Sequence, residues 1–215
     1  MIRLCVICEG QTEAEFVRDV LEPHLRGYGL YVYPSKLKTK PGKQGGGHVT
    51  IPRIAQHVRH EYTNFDCITT LVDFYGFSGR GDRTIDQLEQ AILDACLQER
   101  ADADRRRIIP YVQRHEFEAL LFAEIREFQW VLEAKQDEFQ IELKKIINAF
   151  PTPEDINDNE TTAPSKRLAN IFGSLYSKTE HGPIIAQEIG LDVIKSKCPR
   201  FNQWLSTLEQ FGRTQ

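Results

Sequence analysis

Over the first half of the chain, short apolar runs bounded by turn residues alternate with longer amphipathic stretches, and this alternation predicts an α/β fold. Ile2 to Cys8, rich in β-branched and sulfur side chains and ending in a glycine turn, reads as a buried parallel strand. A helix follows, with Thr12 and Glu15 spaced as a capping box and Phe16, Val17, Val20, Leu21 and Leu25 at helical spacing. Leu30 to Tyr33 is a second strand, and the Lys- and Gly-rich stretch from Pro34 to Gly47 reads as a surface loop. Ile51, Ile54, Ala55, Val58 and Tyr62 mark another helix. Cys67 to Val72 is a strand that Asp73 ends. A loop from Phe74 to Gly81 leads to a helix over about 84–98, packed through Ile85, Leu88, Ile92 and Leu93, and Ile108 to Val112 is the last clear strand.

From Glu116 onward the pattern changes to helical spacing alone, at about 116–133, 137–149, 165–173, 183–197 and 201–211. Pro151 to Pro164, dominated by Pro, Asp, Asn and Thr, reads as an exposed connection. The expected architecture is a mostly parallel sheet with helices on both faces over residues 1–124. A helical region over 125–215 packs on it, and the two form one compact unit.

A composition of 40% hydrophobic and 27% charged residues with net charge -4 belongs to a globular chain and argues against bulk-charge coating of nucleic acid. No apolar run approaches the roughly 20 residues needed to span a bilayer, and the start has no signal-peptide pattern, so a cytoplasmic location is expected. Five cysteines stand at 5, 8, 67, 96 and 198. Cys5 and Cys8 form C-x-x-C on paper, yet residues three apart on a strand face opposite sides of the sheet, which predicts reduced core thiols. Local basic patches remain: Lys36, Lys38, Lys40 and Lys43 lead to Gly45-Gly46-Gly47, and Arg105-Arg106-Arg107 form a second cluster, each also readable as solvated surface.

Candidate chemistry sits where strands end, because functional groups of parallel sheets gather at the carboxyl edge. Glu9 directly follows the first strand. Glu13 lies in the first turn of the next helix, where the helix dipole alone also favours a carboxylate. Asp73 holds the equivalent place after a later strand, and three hard oxygen donors suit Mg²⁺ or Mn²⁺. His115-Glu116-Phe117-Glu118 follows the last strand and offers further donors, with helix capping by Glu116 or Glu118 as the alternative. Ser165-Lys166-Arg167 opens a helix after Pro164, with Ser165 as a cap, and places Lys166 or Arg167 to stabilise phosphoryl charge if that helix folds over the crevice.

Cys8-Glu9-Gly10-Gln11-Thr12-Glu13, Leu71-Val72-Asp73-Phe74-Tyr75-Gly76 and His115-Glu116-Phe117-Glu118-Ala119-Leu120-Leu121-Phe122 together resemble the bacterial DUF4276 family. Ile184 to Leu191 and Cys198 to Leu205 are similar to that family's final segments. The first motif also resembles Toprim domains, especially those of overcoming-lysogenization-defect nucleases. That resemblance implies a Toprim-like, Mg²⁺- or Mn²⁺-dependent endonuclease with Glu9, Glu13, Asp73 and Lys166 catalytic and Glu9, Asp73, Glu116 and Glu118 on the metal. Tyr75 stands where the later acidic pair has its second member, so Glu116 or Glu118 has to supply that ligand. Lys36, Lys38, Lys40 and Lys43 are the candidate grip on nucleic acid, DNA ahead of RNA. The resemblance further implies an effector of defence against phage, working with an ATPase encoded elsewhere; Gly42 to Gly47 lacks the spacing of an ATP phosphate loop. A catalytically silent metal- or nucleotide-binding subunit, hydrolysis of a small nucleotide, and a homodimer stay open.

Overall fold

The computed structural model describes residues 1–37, 49–131, 136–157, 159 and 161–214. Strand β1 (Ile2–Cys8) leads into α1 (Gln11–Phe16), a π-helical turn (Val17–Leu21) and α2 (Glu22–Arg26). The π turn has a cause in Pro23, which lacks an N–H and crowds the carbonyl four residues back; the Glu22 N–H reaches instead to Val17 O. Then come β2 (Leu30–Lys36), α3 (Ile51–Glu61), β3 (Cys67–Asp73), α4 (Ile85–Glu99), β4 (Ile108–Ile109) and β5 (Val112–Gln113). The helical half holds α5 (Gln136–Asn148), α6 (Pro164–Phe172), α7 (Lys178–Ile189), α8 (Leu191–Lys197) and α9 (Pro199–Thr214).

All strand pairs are parallel, in the order β2-β1-β3-β4 with β5 also on β3. The period of two sorts β1 as expected. Leu4, Val6 and Cys8 enter one core, and Cys5 and Ile7 the other. Cys5 and Cys8 therefore face apart; both are free and buried, and burial pushes the Cys5 thiol up to about 12. Helices α3 and α4 cover one face through Ile54, Val58, Leu88 and Ile92. On the other face a single apolar cluster joins Leu4 and Val6 to Phe16, Phe117, Phe128, Phe201 and Leu208, so the helical half and the sheet share one interior. Each such side chain contributes about 1.5–3 kcal/mol by its burial.

Several sequence expectations shift. Strand β2 runs through Pro34 to Lys36, because an edge strand tolerates a residue without a donor. The expected strand at 108–112 is split at Pro110. There the Thr69 and Thr70 hydroxyls donate to Ile109 O and Tyr111 O, and Glu89 Oε1 accepts from Val112 N at 2.9 Å, so side chains replace missing ladder bonds. The helix expected over 116–133 is two 3-10 segments, Phe117–Ala123 and Ile125–Val131. The helix expected at 183–197 starts at Lys178 and breaks at Gly190, whose φ of +77 favours a residue without a Cβ.

The stretch expected as an exposed connection contains a 3-10 turn, Pro153–Asp155, and a buried carboxylate. Glu154 accepts from Arg200 N at 2.8 Å and Phe201 N at 3.1 Å, satisfying two orphan amides in the first turn of α9. Glu154→Ala is expected to cost about 1–2 kcal/mol, read as a lower midpoint in thermal or urea unfolding. An unmoved midpoint would show that α9 does not depend on this cap.

Candidate active site

Parallel pairing brings the carboxyl ends of β1, β3 and β5 side by side, with Cys8 opposite Leu71 and Asp73 opposite Gln113. Glu9 leaves β1 toward the end of β3, where its Oε2 accepts from Asp73 N at 3.3 Å. Gly76 makes room for it: a Cβ there would lie 2.3 Å from Glu9 Oε2. Glu13 caps its own helix, since Gly10 takes the N-cap position and its N–H donates to Glu13 Oε2 at 2.9 Å. This replaces the expected Thr12–Glu15 box; Thr12 is buried instead.

After β5 the chain turns sharply at His115, whose φ of +65 is rare for a residue with a side chain, although histidine visits that region more readily than most. The turn lets Phe117 N–H donate to Asp73 Oδ1 at 2.8 Å and sends Glu116 outward. Glu116 Oε2 accepts from Ser165 N at 2.8 Å and thereby caps α6, the place expected for Ser165's own hydroxyl. Glu118 points inward. It is 0% exposed, and its carboxylate faces the Lys178 ammonium.

Lys178, the first residue of α7, extends into this group of acids. Its Nζ lies 3.2 Å from Glu118 Oε2, 3.5 Å from Asp73 Oδ2 and 3.8 Å from Glu13 Oε1. The contact with Glu118 is the shortest of the three and pairs the ammonium with a fully buried carboxylate. The Tyr176 hydroxyl is buried without a partner, and burial followed by the charge of Glu118 raises its pKa.

Three carboxylates around one ammonium, with Glu9 beside them, are electrostatically one-sided. Burial, then Glu13, pushes Glu9 up to about 7. Burial holds Asp73 well above the usual carboxylate range and raises Glu118 too, with Lys178 opposing both shifts. Burial disfavours the charged form of Lys178, yet Asp73, Glu118 and Glu13 outweigh it and hold its pKa well above an ordinary lysine's. His115 is pushed down to about 4 by burial and Arg114. Glu9, Asp73 and Glu118 thus bind protons more tightly than free carboxylates, chiefly because burial disfavours their charged forms.

The donor set fits a hard divalent cation. Glu9, Glu13, Asp73 and Glu118 are all oxygen donors, and a carboxylate buried as completely as Glu118 calls for positive charge beside it. Among the described residues no three His, Cys, Asp or Glu side chains stand closed to ligation as they are, and the Lys178 ammonium lies among three of the acids. Of the residues expected from sequence, Glu9, Glu13, Asp73 and Glu118 come together, with Glu116 at their border. Lys166 is exposed on α6, and Lys36 donates to Gln11 Oε1 at 2.7 Å on the exposed end of β2. Lys38, Lys40 and Lys43 lie outside the described residues. The Arg105–Arg107 cluster precedes β4, at the sheet's opposite end, where Arg107 holds backbone carbonyls of Tyr62, Phe65 and Asp66. Lys178 was missed. A lysine in the first turn of a helix, where the dipole disfavours positive charge, was the available signal.

The model of a family described as a domain of unknown function, DUF4276, matches residues 8–209. The chain belongs to the DUF4276 family. Two solved structures of the C-terminal region of the Xanthomonas campestris pv. campestris OLD protein, phased with iodine and with mercury, are similar to this DUF4276 chain over 97% of its length and 95% of theirs. Sequence identities are 16% and 13%, and TM-scores 0.48 and 0.44. Divergence of that depth leaves function to be argued from the chain's own residues. No curated protein matches it. Among the described residues no helix is long and apolar enough to cross a membrane.

One glycine of this DUF4276 chain gives a direct check on the acids' geometry. Gly76→Ala is expected to displace the Glu9 carboxylate and weaken Mn²⁺ binding about 10–100-fold, with under about 1 kcal/mol lost in stability, because only a flexible side-chain end has to move. Unchanged Mn²⁺ affinity by calorimetry would remove Glu9 from the cation site.

Proposed function

We propose that this chain is a Toprim-like, Mg²⁺- or Mn²⁺-dependent endonuclease that hydrolyses nucleic-acid phosphodiester bonds, DNA ahead of RNA. The observation that carries it is the convergence of Glu13, Asp73 and the fully buried Glu118 on one cationic centre, with Glu9 beside them at the sheet's carboxyl edge. Such a concentration of hard donors suits phosphoryl chemistry better than a structural role, for which burying like charges is costly. When bound, a divalent cation supplies Lewis-acid polarisation of the phosphodiester and neutralises charge on the departing oxygen. Glu9, Glu13, Asp73 and Glu118 would hold it.

The chain's own residues contribute the rest. Glu9 has its Oε2 oriented by the Asp73 N–H, which aims its carboxylate at the edge where β1 and β3 end. Lys178, kept protonated by its acidic neighbours, offers positive charge for the phosphate, the role that the motif reading gave to Lys166. Lys36 lies on the adjoining edge strand, suited to a flanking phosphate. The motif resemblance supports extending this reading to phage defence alongside a separate ATPase.

Tyr75 favours a second reading. Its ring packs against His115 at 5.4 Å and its hydroxyl contacts Asn157, so the position that holds an acid in the Toprim pattern is occupied by packing. A catalytically silent subunit that binds metal and docks an ATPase would look the same. Incubation of the purified chain with plasmid and RNA in Mg²⁺ or Mn²⁺ separates the two. Metal-dependent nicking lost in Glu9→Ala is expected; tight cation binding with no turnover would decide for the silent subunit.

A further inference from the structure

We propose that Lys178 is a tethered counter-cation: its ammonium holds Glu13, Asp73 and Glu118 together in the metal-free protein and moves out toward solvent when a divalent cation takes the same carboxylates. This rests on the reading of those acids as a cation site and adds an order of events to it.

The hydrogen bonding separates a fixed scaffold from an exchangeable centre. Glu13 gives one oxygen to Gly10 N, and Asp73 gives one to Phe117 N, and each turns its other oxygen to Lys178. Glu118 turns its Oε2 to the same ammonium. The oxygens facing the ammonium can therefore change partner without breaking a backbone contact. Separations of 3.2–3.8 Å suit an ammonium surrounded by carboxylates. A divalent cation of the Mg²⁺ type needs its oxygens at about 2.0–2.1 Å, so the same three groups have to close inward, and an ammonium lying among them blocks that contraction. Two cations in one small acidic pocket also repel each other.

Lys178 is built to leave. Its side chain is 38% exposed, it occupies the first turn of α7, and Ser177 before it is extended backbone outside the helix. At that end the helix dipole opposes positive charge, so the carboxylates alone hold the ammonium in place. Once displaced, it stands at the rim of the loaded site, where an incoming phosphodiester presents negative charge. Metal thus binds first, and the free lysine then grips the substrate.

Calorimetric titration of Mn²⁺ into wild type and Lys178→Met tests the exchange. If the lysine-closed state accounts for about nine-tenths of the metal-free protein, Lys178→Met binds Mn²⁺ about tenfold more tightly than wild type. In the wild type, acetylation of Lys178 followed by mass spectrometry is expected to quicken several-fold on adding Mn²⁺, while Lys195, paired with Glu209 at 2.6 Å, keeps its rate. The labelling decides alone if Lys178→Met fails to fold without metal. Equal Mn²⁺ affinity in both proteins, or Lys178 labelling that slows or stays constant as Mn²⁺ binds, overturns the proposal and leaves the metal-dependent reading intact. Mn²⁺ binding to neither protein overturns both.

Discussion

Asp73→Asn is expected to lower metal-dependent cleavage on the order of a thousandfold or more while leaving the fold at least as stable as the wild type. The two effects separate because Asp73 has two different oxygens. Oδ1 accepts from Phe117 N, and the amide oxygen of asparagine can take over that bond. Oδ2 faces Lys178 and the other acids, where an amide carries no charge and is a poor partner for a cation. Removing the charge also relieves the repulsion from Glu13, Glu9 and Glu118 that helps hold Asp73 well above its ordinary pKa. The loss of the Lys178 contact offsets part of that relief. Nicking of supercoiled plasmid and thermal unfolding, measured on the same preparations, provide the check. Cleavage within about tenfold of wild type would take Asp73 out of the catalytic set. A much lower melting midpoint would mean that the acids stabilise the fold rather than strain it.

The second large effect is a dependence of stability on pH that runs opposite to ordinary acid denaturation. Glu9 titrates at about 7 in the folded chain against 4.5 when unfolded, so between those values the folded state binds more protons, and stability falls as pH rises. Asp73 and Glu118, also raised, act in the same direction. His115 acts against them: lowered from 6.5 to about 4, it adds stability as pH rises through that window and nothing above it. The decline of the metal-free protein is therefore expected to be steepest from about 6.5 upward. Each kcal/mol lost lowers the melting midpoint by about 2–4 °C in a chain of this size. Added Mg²⁺ or Mn²⁺ replaces the departing protons, so the gain in midpoint from metal should grow with pH. Melting curves across this range, with chelator and with metal, test the linkage. A chelated slope that persists unchanged in Glu9→Gln would assign it to groups elsewhere.

The alternation of strands and helices was legible because strands of a parallel sheet are buried on both faces and read as unbroken apolar runs. Glu9 and Asp73 were legible for a related reason: an acid immediately after such a run has to emerge at the sheet's edge. Glu118 was harder to place. Every residue of Phe117–Ala123 is buried, so the segment has no amphipathic stripe to reveal a 3-10 rather than an α-helical path, and hence no basis for assigning Glu118 a direction. Lys178 lay further out of reach, since its contacts depend on how α7 docks against α1 and the turn after β5, a long-range outcome that local spacing does not encode. Pro110 shows the same limit on a smaller scale. The stretch 108–112 reads as one strand, and the threonine hydroxyls and Glu89 that bridge its break come from other elements.

The interior shared by the sheet and the helical half bears on how this chain can be divided. Secondary structure changes character near residue 124, which invites a cut between a catalytic module and an accessory one. Such a cut would leave the acids of β1, β3 and the turn after β5 in one fragment and Lys178 in the other, with Val6, Phe16 and Phe117 stripped of the apolar partners that α7 and α9 supply. The visible seam is one of style rather than of assembly, and neither piece is a smaller version of the whole.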